Sequence, residues 1–365
     1  MTAAAVLIAS LPCAAAPIEG QIGLNGGHNP NLFRDSTQQS DTHTGLSAAF
    51  RYYPTAAVEM SFNGGYTSFR KISDLGGFNW GAALAVTPTS ESSAFSLYAE
   101  GSMSGRTYGE LFSVYDSRTL SGYLAASLAV SPAILVKFGA SVGLVTYANS
   151  ISGDNRGYNL SAGTNFTLPG ANCVDLEAGF LSRRFDIAGE STGYLSPGGR
   201  TDAADQTGLD LASISLRLSR PLGAATGLSL ELAQQDFVTQ DGPIEFDGSV
   251  DILTPWALWW EGRTVGLGLR NFSIPNMILT AEASHTEKSF TEVLDTRSGD
   301  PITGTTEVRH DEQLRLLVGL QRPLVCGAAT LLRPSLTIEY IRNASSWTGY
   351  EYAGLSVAAG FTVDY

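Results

Sequence analysis

The side chains best suited to chemistry in this chain are its four histidines, His28, His43, His285 and His310, and the carboxylates near them. A histidine can serve as acid, base or metal ligand near neutral pH. Nucleophilic catalysis would also need a hydroxyl within hydrogen-bond reach of the imidazole. Ser284-His285-Thr286 fails that test on a strand, because successive residues point to opposite faces. His285 and His310 flank one polar segment, with Asp311 next in sequence, so an acid–base pair or a metal site there is the most these residues offer. No phosphate-cradling glycine loop, zinc cluster or nucleophile elbow occurs. The expectation is a chain with no catalytic residues, no metal and no cofactor.

Charge offers a second kind of chemistry. Only 16% of residues are charged, against about 25% in an ordinary soluble protein. The net charge of −13 argues against a nucleic-acid partner, which would call for a basic surface. The apolar residues are diluted evenly by Ser, Thr, Gly and Asn. After the Ala3 to Ala16 stretch, no run approaches the roughly 20 apolar residues of a membrane helix. Residues 1–16 read as a secretory signal segment, short and ending in small residues, and 17–365 as one domain.

The elements that must position these charges alternate with period two. Val58, Met60, Phe62, Gly64 and Tyr66 interleave with Glu59, Ser61, Asn63, Gly65 and Thr67, and the same pattern recurs to the last residue. Pro54, Pro88, Pro132, Pro169, Pro221, Pro275 and Pro323 mark seven short turns, because proline cannot donate to a ladder. Eight longer polar segments separate them, near 28–41, 69–79, 106–118, 148–156, 186–205, 240–262, 290–306 and 343–349. Fifteen connections mean sixteen strands, each about ten residues long, enough for a tilted strand to cross a bilayer. The fold class expected is all-β, a transmembrane antiparallel up-and-down β-barrel. Fourteen or eighteen strands stay open, because Val250, Ile252, Trp256, Leu258 and Trp260 alternate around Pro255.

The terminal strand carries a resemblance. Leu355, Val357, Ala359, Phe361, Val363 and Tyr365 share one face, and the chain ends on the aromatic Tyr365. This resembles Gram-negative outer-membrane β-barrel proteins of porin-like size. The resemblance implies a place in the bacterial outer membrane, contact with membrane lipid and surface glycolipid, and an assembly machinery that reads Phe361, Val363 and Tyr365. It leaves a homo-oligomer or a secretion partner open. It also implies a third loop folded inward as a constriction, where 106–118 supplies Arg106, Glu110, Asp116 and Arg118.

With the apolar face outside, the wet face carries Arg51, Glu59, Glu100, Lys137, Asp175, Glu177, Arg183, Arg217, Glu231, Arg270, Glu282, Arg315 and Glu339, with Asp364 at the end. Mixed charges along a water-filled wall bias which solutes pass. In a closed interior the same charges would only satisfy one another. The expected function is a porin-like channel or conduit for solutes or an exported polymer. An outer-membrane enzyme on lipid or glycan, or a structural or adhesive barrel with a blocked lumen, are the alternatives. Loop carboxylates such as Asp241, Glu245, Asp247, Asp251, Glu292, Asp295 and Asp300 match no ordered calcium loop. Trp80, Trp256, Trp259, Trp260 and Trp347 suit an interfacial girdle or a sugar platform. Cys173 and Cys326 fall about six strands apart, too far for a disulfide.

Overall fold

The alternation folds as written. In a computed structural model, described at 18–34, 38–88, 94–148, 154–186, 206–241, 244–246, 260–290, 293–295, 309–327, 330–347 and 349–365, the chain forms one sheet that closes on itself. Its wall has sixteen strands: β1 Ile18–Asn29, β2 Asp41–Thr55, β3 Val58–Phe69, β4 Gly77–Val86, β5 Phe95–Tyr108, β6 Ser117–Ser131, β7 Ile134–Tyr147 and β8 Asn155–Leu168 in the first half. The second half holds β9 Asn172–Asp186, β10 Gln206–Pro221, β11 Thr226–Asp241, β12 Glu261–Asn271, β13 Ile278–Ser289, β14 His310–Gln321, β15 Leu331–Ser345 and β16 Tyr352–Asp364. Every strand pairs antiparallel with its sequence neighbours, and β16 pairs with β1 from Gln21↔Asp364 to His28↔Val357. Closure removes the unpaired edge that an open sheet would present. Leu324–Val325 adds a two-residue pairing to the start of β15.

The three longest connections, 187–205, 242–260 and 290–309, all lie at one end of the barrel. The end where β1 begins and β16 stops has the seven short turns. Among the described residues, the segment 240–262, which left the strand count open, adds no further strand to the wall. β11 runs to Asp241 and β12 starts at Glu261, while Ile244–Phe246 pairs parallel with Val293–Asp295 away from the barrel sheet. Val250, Ile252, Pro255, Trp256 and Leu258 lie outside the described residues, as do residues 1–16, read as a signal segment.

Burial fixes which face is inside. Leu209, Leu211, Asp41, Asn155, Asp311, Asn343 and Tyr352 are buried, and cross-strand register puts them all on the face of Arg217 and Glu231. The opposite face exposes large apolar side chains, including Leu46, Phe62, Leu120, Phe138, Leu160, Ile214, Leu267 and Leu355. A soluble monomer rarely shows an apolar surface of this extent. Taken out of water by lipid, each such side chain contributes about 1.5–3 kcal/mol. The outer face is therefore the lipid face.

Two knots fix the long-loop end. Leu32, Phe33 and Leu75 form a buried cluster with Phe69, Ile72, Tyr108 and Phe112, joining the first three long loops. Asp41 ties the second loop to β2, accepting from the backbone N–H of Thr42 at 2.6 Å, Lys71 at 3.0 Å and Ile72 at 2.8 Å.

Candidate functional site: the charged lumen wall

Every charged residue expected on the wet face points into the barrel. Register links them: Asp175 stands opposite Arg217, which stands opposite Glu231. Lys137 faces Gly163, which in turn faces Glu177. Glu282 faces Gly268, Arg315 faces Ser284, and Glu100 faces Ala85. Small residues beside long charged ones leave the heads room to reach into the lumen.

Among the described residues, four ion pairs form along this wall below the rim. Lys137 donates to both oxygens of Asp175 at 3.0 and 2.9 Å, and Asn165 and Cys173 lie beside that carboxylate. Arg315 pairs with Glu339 at 2.5 Å, and Arg51 with Glu59 at 3.5 Å. Arg333 pairs with Asp364, which also accepts from Gln21 across the closing seam. All four are partly open to solvent. Among the described residues, Glu177, Arg217, Glu231 and Glu282 take part in no ion pair, and Glu100 accepts only from the Tyr98 hydroxyl. Arg183 sits near the long-loop end, opposite Gly157 and Leu209, and Arg270 lies by the turn after β12, over the Phe272 ring at 5.6 Å. At mid-wall the charge left outside ion pairs is therefore acidic: Glu100, Glu177, Glu231 and Glu282 against Arg217. Arg333 is missing from the wet-face residues read from the sequence; it stands beside Pro334, which in the fold lies within β15, opposite Phe361.

The third loop departs from expectation. Only Arg106 of its four charges is on the lumen face, stacked over Tyr108 at 4.5 Å. Asp116 is spent accepting from the Tyr108 N–H at 2.7 Å. Glu110 opens a short 3-10 turn, Glu110–Tyr115. Arg118 faces outward, opposite Gly105 and Thr146, because β6 already has its strand phase there. What this loop contributes to the long-loop end is Phe112, stacked with Phe33 of the first loop at 6.2 Å.

The histidine cluster does not assemble. His285 and His310 both face outward, opposite Leu314 and Ser289, whereas Asp311 points inward and is held by Arg309 and Asn343. Among the described residues no three His, Cys, Asp or Glu side chains could hold a metal ion together. Cys173 and Cys326 are free thiols. Trp80 faces outward, and the Trp260 ring centre lies 5.5 Å from the ammonium of Lys288 on β13. Trp256 and Trp259 fall outside the described residues, as do the side chains of the loop carboxylates.

The expected assembly residues line the closing strand on its outer face. Phe361 stands opposite Leu24 and Val363 opposite Ile22. Tyr365 exchanges backbone hydrogen bonds with Gly20, and its ring covers that glycine so closely that a Cβ there would sit 2.2 Å from it.

No protein-family profile and no curated protein matches the chain. Solved structures do. CdiB from Acinetobacter baumannii superposes with a TM-score of 0.53 at 11% identity, over 96% of this chain and 60% of that one. A bacterial polysaccharide outer membrane secretin superposes with a TM-score of 0.50 at 10% identity, over 95% and 98%. OccAB4, also from Acinetobacter baumannii, gives 0.49 at 8% identity, over 95% and 98%. This chain thus spans less than two thirds of the CdiB chain and nearly all of the secretin. At these identities the likeness is one of fold, and it agrees with the closed wall and its apolar belt: the chain has the fold of the sixteen-stranded barrels of the Gram-negative outer membrane.

Proposed function

We propose that the protein sits in the bacterial outer membrane as a porin-like channel or conduit, passing small solutes or an exported polymer along a charged wall. One observation carries this reading. The mid-lumen charges are half open to solvent, and Glu177, Arg217, Glu231 and Glu282 are left outside ion pairs. A wall whose charges merely satisfied one another would show neither feature. Sixteen strands also enclose more space than wall side chains fill. The similar fold of a polysaccharide secretin of matching length supports the polymer variant. With its excess of mid-wall carboxylates, the lumen should favour cations.

Planar-bilayer recording tests the reading. Purified protein should give open steps, with a reversal potential in a KCl gradient displaced toward the cation side. Glu100→Gln should move that potential toward zero, and Arg217→Gln should move it the other way. Folded protein without conductance, or unchanged selectivity in both variants, would exclude the channel.

A further inference from the structure

The outward face above the apolar belt is not uniform around the barrel. Over β6, β8 and β9 it carries Arg118, Arg156 and Arg184, each placed on the outer face by its register. Arg156 and Arg184 stand directly opposite one another on neighbouring strands. Like charges so placed repel. Arg184 reaches across Gly208 to Asp210, with guanidinium–carboxylate distances of 3.0 and 3.2 Å. Arg118 and Arg156 are exposed and have no ion-pair partner among the described residues. Among the described residues, the carboxylates of the two adjoining loops are already engaged: Asp116 accepts from the Tyr108 N–H and Asp154 from the Tyr147 N–H at 2.9 Å.

Immediately below lie Tyr158 and Phe180, ring centroids 6.1 Å apart, with Leu120 and Leu144 beside them on the same outer face. Aromatic side chains of that kind mark the membrane–water boundary in such barrels. The arginines therefore stand at headgroup height, with aliphatic and aromatic surface for acyl chains directly beneath. We propose that this β6–β9 ledge binds the phosphate groups of an anionic outer-leaflet lipid, with Arg118 and Arg156 as the principal contacts and Arg184 completing the site. The lipid supplies the counter-charge that no described side chain gives Arg118 and Arg156, and guanidinium forks suit phosphate oxygens. The sector over β12 to β15 has a different character: Glu287 faces Glu312, with Arg263 3.8 Å from Glu287 and Arg342 on the same outer face opposite Leu314.

The inference rests on the outer-membrane placement and not on conduction, so conductance and lipid binding can fail separately. Native mass spectrometry of the full folded chain, titrated with diphosphoryl lipid A, tests it. The wild type should retain lipid, and Arg118→Gln with Arg156→Gln should weaken retention on the order of tenfold. The matching Arg→Lys pair should keep most of it, Arg263→Gln with Arg342→Gln should leave it unchanged, and equimolar inorganic phosphate should not displace it. Should the glutamine pair fail to fold, Arg156→Gln alone carries the same expectation. Wild-type retention in the glutamine variant, equal loss in the control sector, displacement by free phosphate, or no retention by the wild type would each overturn the proposal.

Discussion

The long-loop rim and the mid-lumen wall hold similar charged residues under opposite conditions. At the rim, Arg309 is 4% exposed and its partner Asp311 2%, Asn343 donates to the same carboxylate, and the guanidinium lies 3.6 Å from the Tyr350 ring centre. On the wall, Lys137 is 38% exposed and Asp175 32%. Removing one member of a buried pair strands the other in a dry environment, whereas a wet pair loses only a screened attraction. The rim charges are therefore a scaffold and the wall charges a field. The same residue types carry two jobs, separated by access to water.

Asp311→Ala should break the comparison most visibly. It leaves Arg309 buried without its carboxylate and the Asn343 amide with only the Tyr350 carbonyl of its two acceptors, at a cost of about 3–5 kcal/mol. Urea unfolding in lipid vesicles, followed by tryptophan fluorescence, should show a large fall in midpoint. A midpoint within error of the wild type would mean that the rim pair is as replaceable as a wall pair.

Acid should act next, and again at the rim. Burial pushes the Asp41 carboxyl up, but the backbone N–H groups of Ile72, Lys71, Thr42 and Arg70 together outweigh it and hold it below the ordinary value. Its folded value lies below the unfolded one, so this carboxylate contributes its full stability above about pH 4 and loses it as pH falls through the folded value. Urea midpoints should therefore drop as pH falls below about 4, and Asp41→Asn should lower the midpoint at about pH 6 while flattening part of that acid limb. An acid limb unchanged in Asp41→Asn would remove Asp41 from the account.

Much of this architecture was legible because period-two alternation assigns each wall residue a face without any knowledge of partners. Glu59, Lys137, Glu231 and Glu339 could be placed inside from their strand neighbours alone. Pairing was not legible in the same way. Arg217 stands opposite both Asp175 and Glu231, yet Asp175 pairs with Lys137 from two strands away, on the far side of β8, where Gly163 stands opposite Lys137. Residues at strand ends were hardest. Arg118 belongs to a loop by composition and to an outward strand position by register. His310 and Asp311 are adjacent in sequence and face opposite sides for the same reason. The joining of the first and third loops through Phe33 and Phe112 depends on long-range packing that periodicity does not encode.

The smallest expected effect on stability comes from the wall and sharpens the contrast with Asp311. Lys137→Gln removes an ammonium 2.9 Å from Asp175, but both groups reach lumen water, so the loss should be no more than about 1 kcal/mol. Its effect on permeation should be larger than its effect on folding. Asp175 would join Glu177 and Glu231 as a carboxylate without an ion pair, increasing the local negative field and moving the reversal potential further toward the cation side. The shift should shrink as salt rises, since mobile ions screen a wet wall and not a buried rim. A variant that unfolds as readily as Asp311→Ala would place Lys137 in the scaffold. One that keeps both its midpoint and its selectivity would show that permeating ions do not sense this stretch of wall.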